Sequence, residues 1–195
     1  MPRLNSFTTR QLTDRALHRF WVHGFYASSM DDLVRATGVS RHGIYTTFGG
    51  KNAMFLACLD QYQRTVVTPA FEVVEAAGAD LTSVAAYFET QIAHGEAAGL
   101  PGPGCFVANS ATEVAPDDAD VMALVHQHND RLRQGFAAAL RQTAPAFDQD
   151  KALELAEVMV IFTNGLWTRS RSVSDATVLR RAVENFLSLL VERTR

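Results

Sequence analysis

Apolar residues recur at intervals of three and four positions along almost the whole chain. This is the spacing of side chains on one face of a helix. Alternating runs of β-branched residues, the pattern of a half-buried strand, are missing. The sequence therefore predicts an all-α fold. The first apolar stripe marks a helix from about Thr9 to Gly24 and consists of Leu12, Ala16, Leu17 and Phe20.

Capping residues and glycines divide the start of the chain into short helices. Ser29 is a predicted cap for a second helix, with Asp32 at the capping-box position, and Gly38 ends that helix after two turns. Ser40 then caps a third short helix. Pro69 is expected to interrupt or redirect the next helix, and a Ser174 cap is expected before the last one. The predicted later helices cover about 51–67, 71–77, 80–96, 105–115, 117–144, 150–171 and 175–193.

The last two predicted helices carry more apolar residues than a monomer surface helix needs. Val158 to Phe162 is a continuous apolar run, and Leu189 and Val191 widen the stripe formed by Phe186 and its neighbours. Such helices must be covered on more than one side. A homodimer that pairs both helices with their copies provides that cover, whereas a chain that folds over them itself is the alternative.

Composition limits the class of protein and shows an uneven distribution of charge. The 195 residues are 47% apolar and 20% charged, which is ordinary for a globular protein. The apolar runs are too short for a membrane helix or a signal segment, so we expect a cytoplasmic protein that contacts no membrane. The net charge is −3, but residues 1–51 carry seven basic and three acidic side chains. We expect this basic segment to bind a polyanion.

Two short helices joined by a turn that contains Gly38 have the layout of a helix-turn-helix, in which the second helix lies in the DNA major groove. If Ile44 is in the core of this unit, His42 and Thr46 lie about 200° from it and point outward. Arg41 can reach a guanine edge, and Tyr45 and Thr47 present hydroxyls to phosphate oxygens. Lys51 begins the next helix and can bind a phosphate together with the helix amino end.

Residues 25–51 resemble the amino-terminal signature of the TetR family of transcriptional regulators, and the similarity extends over about 9–57. It implies a three-helix DNA-binding domain over 1–51, called the head below, and a larger helical ligand-binding and dimerisation domain over 52–195, called the body. It also implies a homodimer that is released from a palindromic double-stranded operator by a small-molecule effector. By this match Tyr45 and Lys51 take phosphate-contacting positions, and Ser29 takes the phosphate-contacting position at the start of helix two. Arg41, His42 and Thr46 lie in the recognition helix. The sequence departs from the family pattern at Thr47, where a histidine or tyrosine is common, and at Asn52, where an acidic residue often follows the lysine.

Aromatic and polar residues of the predicted inner helices are candidates for contact with the effector, although each is also a plausible core residue. Residues 104–113 look like a segment of a TetR subgroup that includes regulators responding to electrophiles, where a cysteine in such a segment can be the sensor. Cys105 would then have a reactive thiolate stabilised by a helix amino end, while packing beneath a glycine loop is its alternative role. Cys58 is a predicted core residue. The candidate effector contacts are Tyr62, Phe88, Phe106, Asn109, Glu113, Phe162 and Trp167.

An enzyme and an architectural DNA-binding protein are the competing interpretations. His126 and His128 point about 200° apart on a helix and cannot share one metal ion within a chain. The phosphate-binding loop, HExxH and GxSxG motifs do not occur, so we expect no catalysis, no cofactor and no metal. An architectural protein would have a solid body core, whereas a ligand-responsive regulator should have a cavity among its helices.

Overall fold

The computed structural model describes residues 8–193 and is all-α across that range, as the sequence predicts. A π-helical turn at Gln63–Val67 and a 3-10 turn at Ala115–Asp117 supplement the α-helices. The α-helices are α1 Thr9–His23, α2 Met30–Thr37, α3 Arg41–Phe48, α4 Lys51–Tyr62, α5 Thr68–Glu75, α6 Leu81–Ala98, α7 Phe106–Glu113, α8 Ala119–Thr143, α9 Gln149–Arg169 and α10 Ala176–Arg193.

The three helices of the head begin and end where the capping residues indicate. Ser29 forms a reciprocal capping box with Asp32 at the start of α2, and Gly38 ends α2 in the left-handed conformation with φ 75°. The Ser40 hydroxyl accepts a hydrogen bond from the Gly43 amide at the start of α3. Buried Phe20, Leu33 and Ile44 share one core with the first turns of α4, so α2 braces α3 against α1.

Of the two predicted effects of Pro69, interruption or redirection of the helix, the interruption does not occur, because the chain stays helical from Lys51 to Glu75. The π-helical turn before Pro69 changes the hydrogen-bond ladder, and the Thr68 amide donates to the Gln63 carbonyl five residues earlier. Pro69 then lies in the first turn of α5, where a missing amide proton costs little. A bulged helix thus connects the head to the body without a break.

The body is a layered helical bundle in which α8 packs along α9 and α10 packs on α6. Its core contains Phe71, Phe88, Phe136 and Met159, none of which has exposed surface. The prediction of Ser174 as the cap of the last helix is also wrong. Asp175 takes that position, because α10 begins at Ala176 and the Asp175 carboxylate accepts a hydrogen bond from the Thr177 amide at 2.8 Å. The predicted domain boundary after residue 51 remains a prediction.

Candidate nucleic-acid interface and body cluster

The outward face of α3 is the candidate DNA-reading surface. Ile44 is 1% exposed and anchors the opposite face of the helix in the core of the head. Tyr45 is 52% exposed, and the Thr46 hydroxyl donates to the His42 carbonyl at 2.9 Å along the same face. The side chains that this arrangement leaves exposed are Arg41, His42, Tyr45, Thr46 and Thr47.

Arg41 extends back from α3 to α2, where its guanidinium lies 2.9 Å from a carboxylate oxygen of Asp31. Both side chains are more than half exposed, and an exposed ion pair of this kind contributes little to stability. Arg41 can therefore exchange this partner for a base edge or a phosphate at small cost. Sequence reasoning did not identify Asp31 as a partner, since the two residues belong to different helices.

Ser29 uses its hydroxyl inside the head. The hydroxyl accepts a hydrogen bond from the Asp32 amide at 3.2 Å and donates to the Asp32 carboxylate at 2.7 Å. The hydrogen bonds from the Ser29 hydroxyl and amide lower the pKa of Asp32 to about 2. Contact between Ser29 and DNA remains a prediction, while its capping role fixes where α2 begins.

Lys51 stands at the amino end of α4, directly after two glycines with positive φ, Gly49 and Gly50. Its ammonium lies 4.1 Å from the centroid of the Phe25 ring, and partial burial lowers its pKa. Within the described residues, α4 begins without a side-chain cap, so its first backbone amides can serve an anion. The Lys51 ammonium group and the amino end of α4 thus lie together beside α3.

In the body, five of the predicted effector contacts lie in two neighbouring aromatic groups, which together with Cys105 and Tyr87 are called the body cluster below. Tyr62 and Phe106 pack edge to face with ring centroids 5.7 Å apart. The ring centroid of Phe88 lies 5.9 Å from that of Phe162 and 6.3 Å from that of Trp167. Trp167 packs against both groups and connects them.

Cys105 and two tyrosines form the polar part of this body cluster. The buried Cys105 thiol lies beside the Tyr62 hydroxyl, and burial raises the pKa of Cys105. Burial also raises the pKa of Tyr62 and of Tyr87, whose hydroxyl lies near Trp167. The low thiol pKa expected for a sensor at a helix amino end is therefore not found, because desolvation outweighs the helix end. Sequence reasoning missed Tyr87, although its place on the apolar stripe of α6 was a usable signal.

The structure places the two polar candidates, Asn109 and Glu113, outside the aromatic groups. The Asn109 amide donates to the Pro103 carbonyl at 2.9 Å, which secures the loop before α7. The Glu113 carboxylate accepts a hydrogen bond from the backbone amide of Tyr26 in the head at 2.9 Å. Both side chains thus already have polar partners within the protein.

Two cavities open between helices of the body. One, of about 500 Å³, lies between the end of α5 and the middle of α8 and is bordered by Glu75 and Arg131. The other, of about 360 Å³, lies between α5 and α6 and is bordered by Pro69 and His94. In the described part of the chain, none of the seven predicted effector contacts lines either cavity.

Membrane-spanning helices and clusters of metal-binding side chains are both absent from residues 8–193. The helices in this range are too short or too polar to span a bilayer. Groups of three or more His, Cys, Asp or Glu side chains positioned to hold a metal ion do not occur in the same range.

A short braced helix with an exposed polar face, joined to a helical body, defines a helix-turn-helix DNA-binding protein. Residues 12–58 match the family model described as bacterial regulatory proteins, tetR family. The chain is 26% identical over 182 residues to the HTH-type transcriptional repressor ComR of Escherichia coli K12, covering 92% of this chain and 87% of that protein.

Solved structures share the fold along nearly the whole chain. A cysteine mutant of the TetR family regulator CifR, complexed with 26-bp double-stranded operator DNA, aligns with a TM-score of 0.80 and 21% identity, covering 96% of this chain and 98% of that chain. SCO4454, a TetR-family regulator from Streptomyces coelicolor, aligns with a TM-score of 0.78 and 19% identity, covering 94% and 88%. The family-model match and the curated relative support a DNA-binding transcriptional regulator of the TetR family, with the family-model match confined to residues 12–58.

Proposed function

We propose that this protein is a repressor that binds a palindromic operator as a homodimer and is released when a small molecule binds the body. The observation that carries the proposal is the exposed face of α3, which presents no carboxylate and is held in place by buried Ile44. Arg41, His42 and Thr46 would read base edges in the major groove. Ser29, Tyr45, Thr47 and Lys51 would contact the phosphate backbone, and the protein would act by binding, without catalysis, in the cytoplasm.

A homodimer is supported by apolar side chains that remain exposed on α9 and α10. Ile161 is 65% exposed and Leu189 is 63% exposed, with Val158 and Val178 at nearly half. The rings of Phe162 and Phe186 stack at 3.9 Å and join the two helices into one continuous surface. An exposed apolar patch of this kind marks an association surface.

Sedimentation tests the homodimer. The wild-type protein should sediment as a dimer at micromolar concentration, and Leu189→Asp should shift it to monomer because a carboxylate would be buried without a partner. Val73→Asp, at a 40% exposed valine on α5 outside the surface, is the control and should remain a dimer. A wild-type monomer at these concentrations would contradict the proposal.

Release from DNA requires that the effector bind more tightly to one arrangement of the two heads than to the other. The aromatic body cluster, with the hydroxyls of Tyr62 and Tyr87, suits a flat apolar molecule that carries a hydrogen-bonding group. Phe88 and Phe106 in this cluster are buried, so a molecule that binds between the aromatic rings would have to separate the helices that carry them. That separation would make the affinity for the effector differ between the two arrangements of the heads.

In-vitro selection from a random double-stranded library tests the DNA-binding assignments. The wild-type dimer should select two inverted half-sites. Tyr45→Phe and Lys51→Ala should weaken binding to every duplex and reduce the salt dependence, whereas His42→Ala and Thr46→Ala should change the selected bases. Unchanged binding by the double Tyr45 and Lys51 variant would refute the phosphate-contact assignment.

The alternative is an electrophile- or redox-sensing regulator switched by modification of Cys105. Its support is the position of the thiol between α7 and the aromatic groups, where an adduct would displace α7. The raised pKa favours the reversible ligand instead, because less of the thiol is ionised. Iodoacetamide kinetics on the two single-cysteine variants decide between them. Rapid alkylation of Cys105 with loss of DNA binding would establish the alternative, and an unreactive Cys105 would exclude it.

A further inference from the structure

Hydrogen bonds at both ends of α7 connect the body to the head. At the amino end, the indole N–H of Trp21 on α1 donates to the Gly104 carbonyl at 2.8 Å. At the carboxyl end, Glu113 accepts the hydrogen bond from the Tyr26 amide at 2.9 Å. Eight helical residues span about 12 Å, so the two bonds hold α7 to the head at well-separated points. A helix held in this way cannot turn relative to the head without breaking one of them.

Glycines allow a close approach at each of these points. A Cβ atom on Gly24, which has φ +86°, would lie 2.7 Å from a Glu113 carboxylate oxygen. A Cβ atom on Gly104, with φ +73°, would lie 2.7 Å from the Trp167 carbonyl of α9. The segment before α7 therefore lies directly on the helix that carries part of the proposed dimer surface, and the Arg171 guanidinium secures it through the Pro103 carbonyl at 2.8 Å.

Aromatic packing fills the space between the two hydrogen bonds. Trp21 meets Tyr62 edge to face at 5.0 Å, and Phe106 of α7 meets Phe55 at 5.3 Å. The core that contains these rings also contains Phe20 of the head. The hydrogen bonds thus orient two parts that are already in apolar contact.

We propose that Trp21 and Glu113 are positioning residues that make α7 and the head move as one rigid unit. The position of α7 in the body then sets the direction in which α3 faces DNA. This inference rests on the proposed function, in which the two heads of a dimer must match two half-sites at a fixed separation. It assigns to Glu113 a contact with the head, in place of the contact with an effector that the sequence suggested.

The carboxylate of Glu113 has a second effect that the experiment must separate from its hydrogen bond. Its negative charge acts on Lys51, a proposed phosphate contact. Glu113→Gln keeps an acceptor for the Tyr26 amide and removes the charge, whereas Glu113→Ala removes both. Trp21→Phe keeps the ring packing and removes the indole donor. Thr112→Ala, at an exposed residue of α7 whose hydroxyl bonds only within that helix, is the matched control.

The test uses the duplex selected by the wild-type protein and the same duplex with one or two base pairs inserted between its half-sites. The measured quantity is the ratio of affinities for the original and the lengthened duplex. We expect the double variant Trp21→Phe/Glu113→Ala to bind the original duplex about tenfold more weakly, with a ratio about tenfold smaller than that of the wild type. Binding to a non-palindromic random duplex should change no more than it does in Glu113→Gln, which removes the same charge beside Lys51 and leaves α3 intact.

Glu113→Gln should keep the wild-type ratio of affinities. Hydrogen exchange at the Tyr26 amide should accelerate in Glu113→Ala and should not accelerate in Glu113→Gln. Circular dichroism checks that each variant is folded. If the double variant does not fold, the ratio of affinities is measured on the two single variants instead. A folded variant with the wild-type ratio despite accelerated exchange at Tyr26 refutes this inference alone. A wild-type protein that selects no paired half-sites refutes the proposed function, and this inference with it.

Discussion

His128 makes the stability of the body depend on pH between about 4 and 6.5. The residue lies on α8, is 5% exposed, and faces the π-helical turn, where the Gln63 side-chain amide lies 2.9 Å from its Nδ1. Burial, aided by the positive charge of Arg131, lowers the pKa of His128 from its usual 6.5 to about 4. The folded protein therefore holds a neutral imidazole over a range in which the unfolded chain holds a charged one.

The sign and size of the effect follow from linkage. The unfolded state binds more protons between the two pKa values, so stability is fully present above pH 6.5 and is lost as the pH falls towards 4. For the pKa values of 6.5 and about 4, the loss is about 1 kcal/mol at pH 5.5 and about 3 kcal/mol at pH 4. His128→Gln offers Gln63 an amide partner that does not titrate and should remove this loss.

Urea unfolding followed by circular dichroism, at fixed protein concentration and at several pH values from 7.5 to about 4, measures the difference. The free energy of unfolding of His128→Gln should fall less steeply with acid than that of the wild type. His18→Gln, at an exposed histidine of α1, is the control and should follow the wild type. Parallel curves for the wild type and His128→Gln would refute the argument that His128 is buried in its neutral form.

Two further predictions concern packing and capping. Gly135→Ala on α8 should lower the free energy of unfolding by about 1 to 3 kcal/mol in a thermal melt, because the new Cβ would lie 2.6 Å from a ring carbon of buried Phe71. Gly95→Ala on α6, where the nearest neighbour would be 4.0 Å away, should raise the free energy of unfolding by up to about 1 kcal/mol. Equal melting temperatures for the two variants would contradict the close packing of α5 on α8. Ser29→Ala should cost about 1 kcal/mol through loss of the cap and should make hydrogen exchange in α2 faster, and unchanged exchange would contradict the capping box.

The head was predictable because its signals are local. Ser29, Gly38 and Ser40 each act on a backbone group within four residues, and the burial of Ile44 fixes the outward face of α3 by helical geometry alone. At Pro69 the local signal was less informative. A proline predicts a missing amide, but the π-helical turn before it relocates the hydrogen bonds while the chain stays helical, and the sequence pattern does not indicate that turn.

The joint between head and body could not be predicted in the same way. The residues of its two hydrogen bonds are separated by 83 and 87 positions, and no periodicity connects them. Glycine loops and a polar residue at the end of a short helix have many uses, so the sequence pattern left Glu113 among the effector candidates. Only the folded arrangement shows that Gly24 admits the Glu113 carboxylate to the turn after α1.

The position of the body cluster links its two neighbours, the head and the proposed dimer surface. Cys105 and Phe106 lie at the start of α7, directly after Gly104, whose carbonyl accepts a hydrogen bond from Trp21 of α1. Trp167 lies on α9, whose exposed side carries Ile161. A molecule that entered between Phe106 and Trp167 would have to separate α7 from α9, because protein interiors are close-packed and have little free volume. With α9 fixed against its copy in a dimer and α7 fixed to the head, that separation would move the head relative to the two-fold axis. Under the proposed function, the distance between the two copies of α3 would then change, and a ligand with no contact to DNA would lower the affinity for paired half-sites.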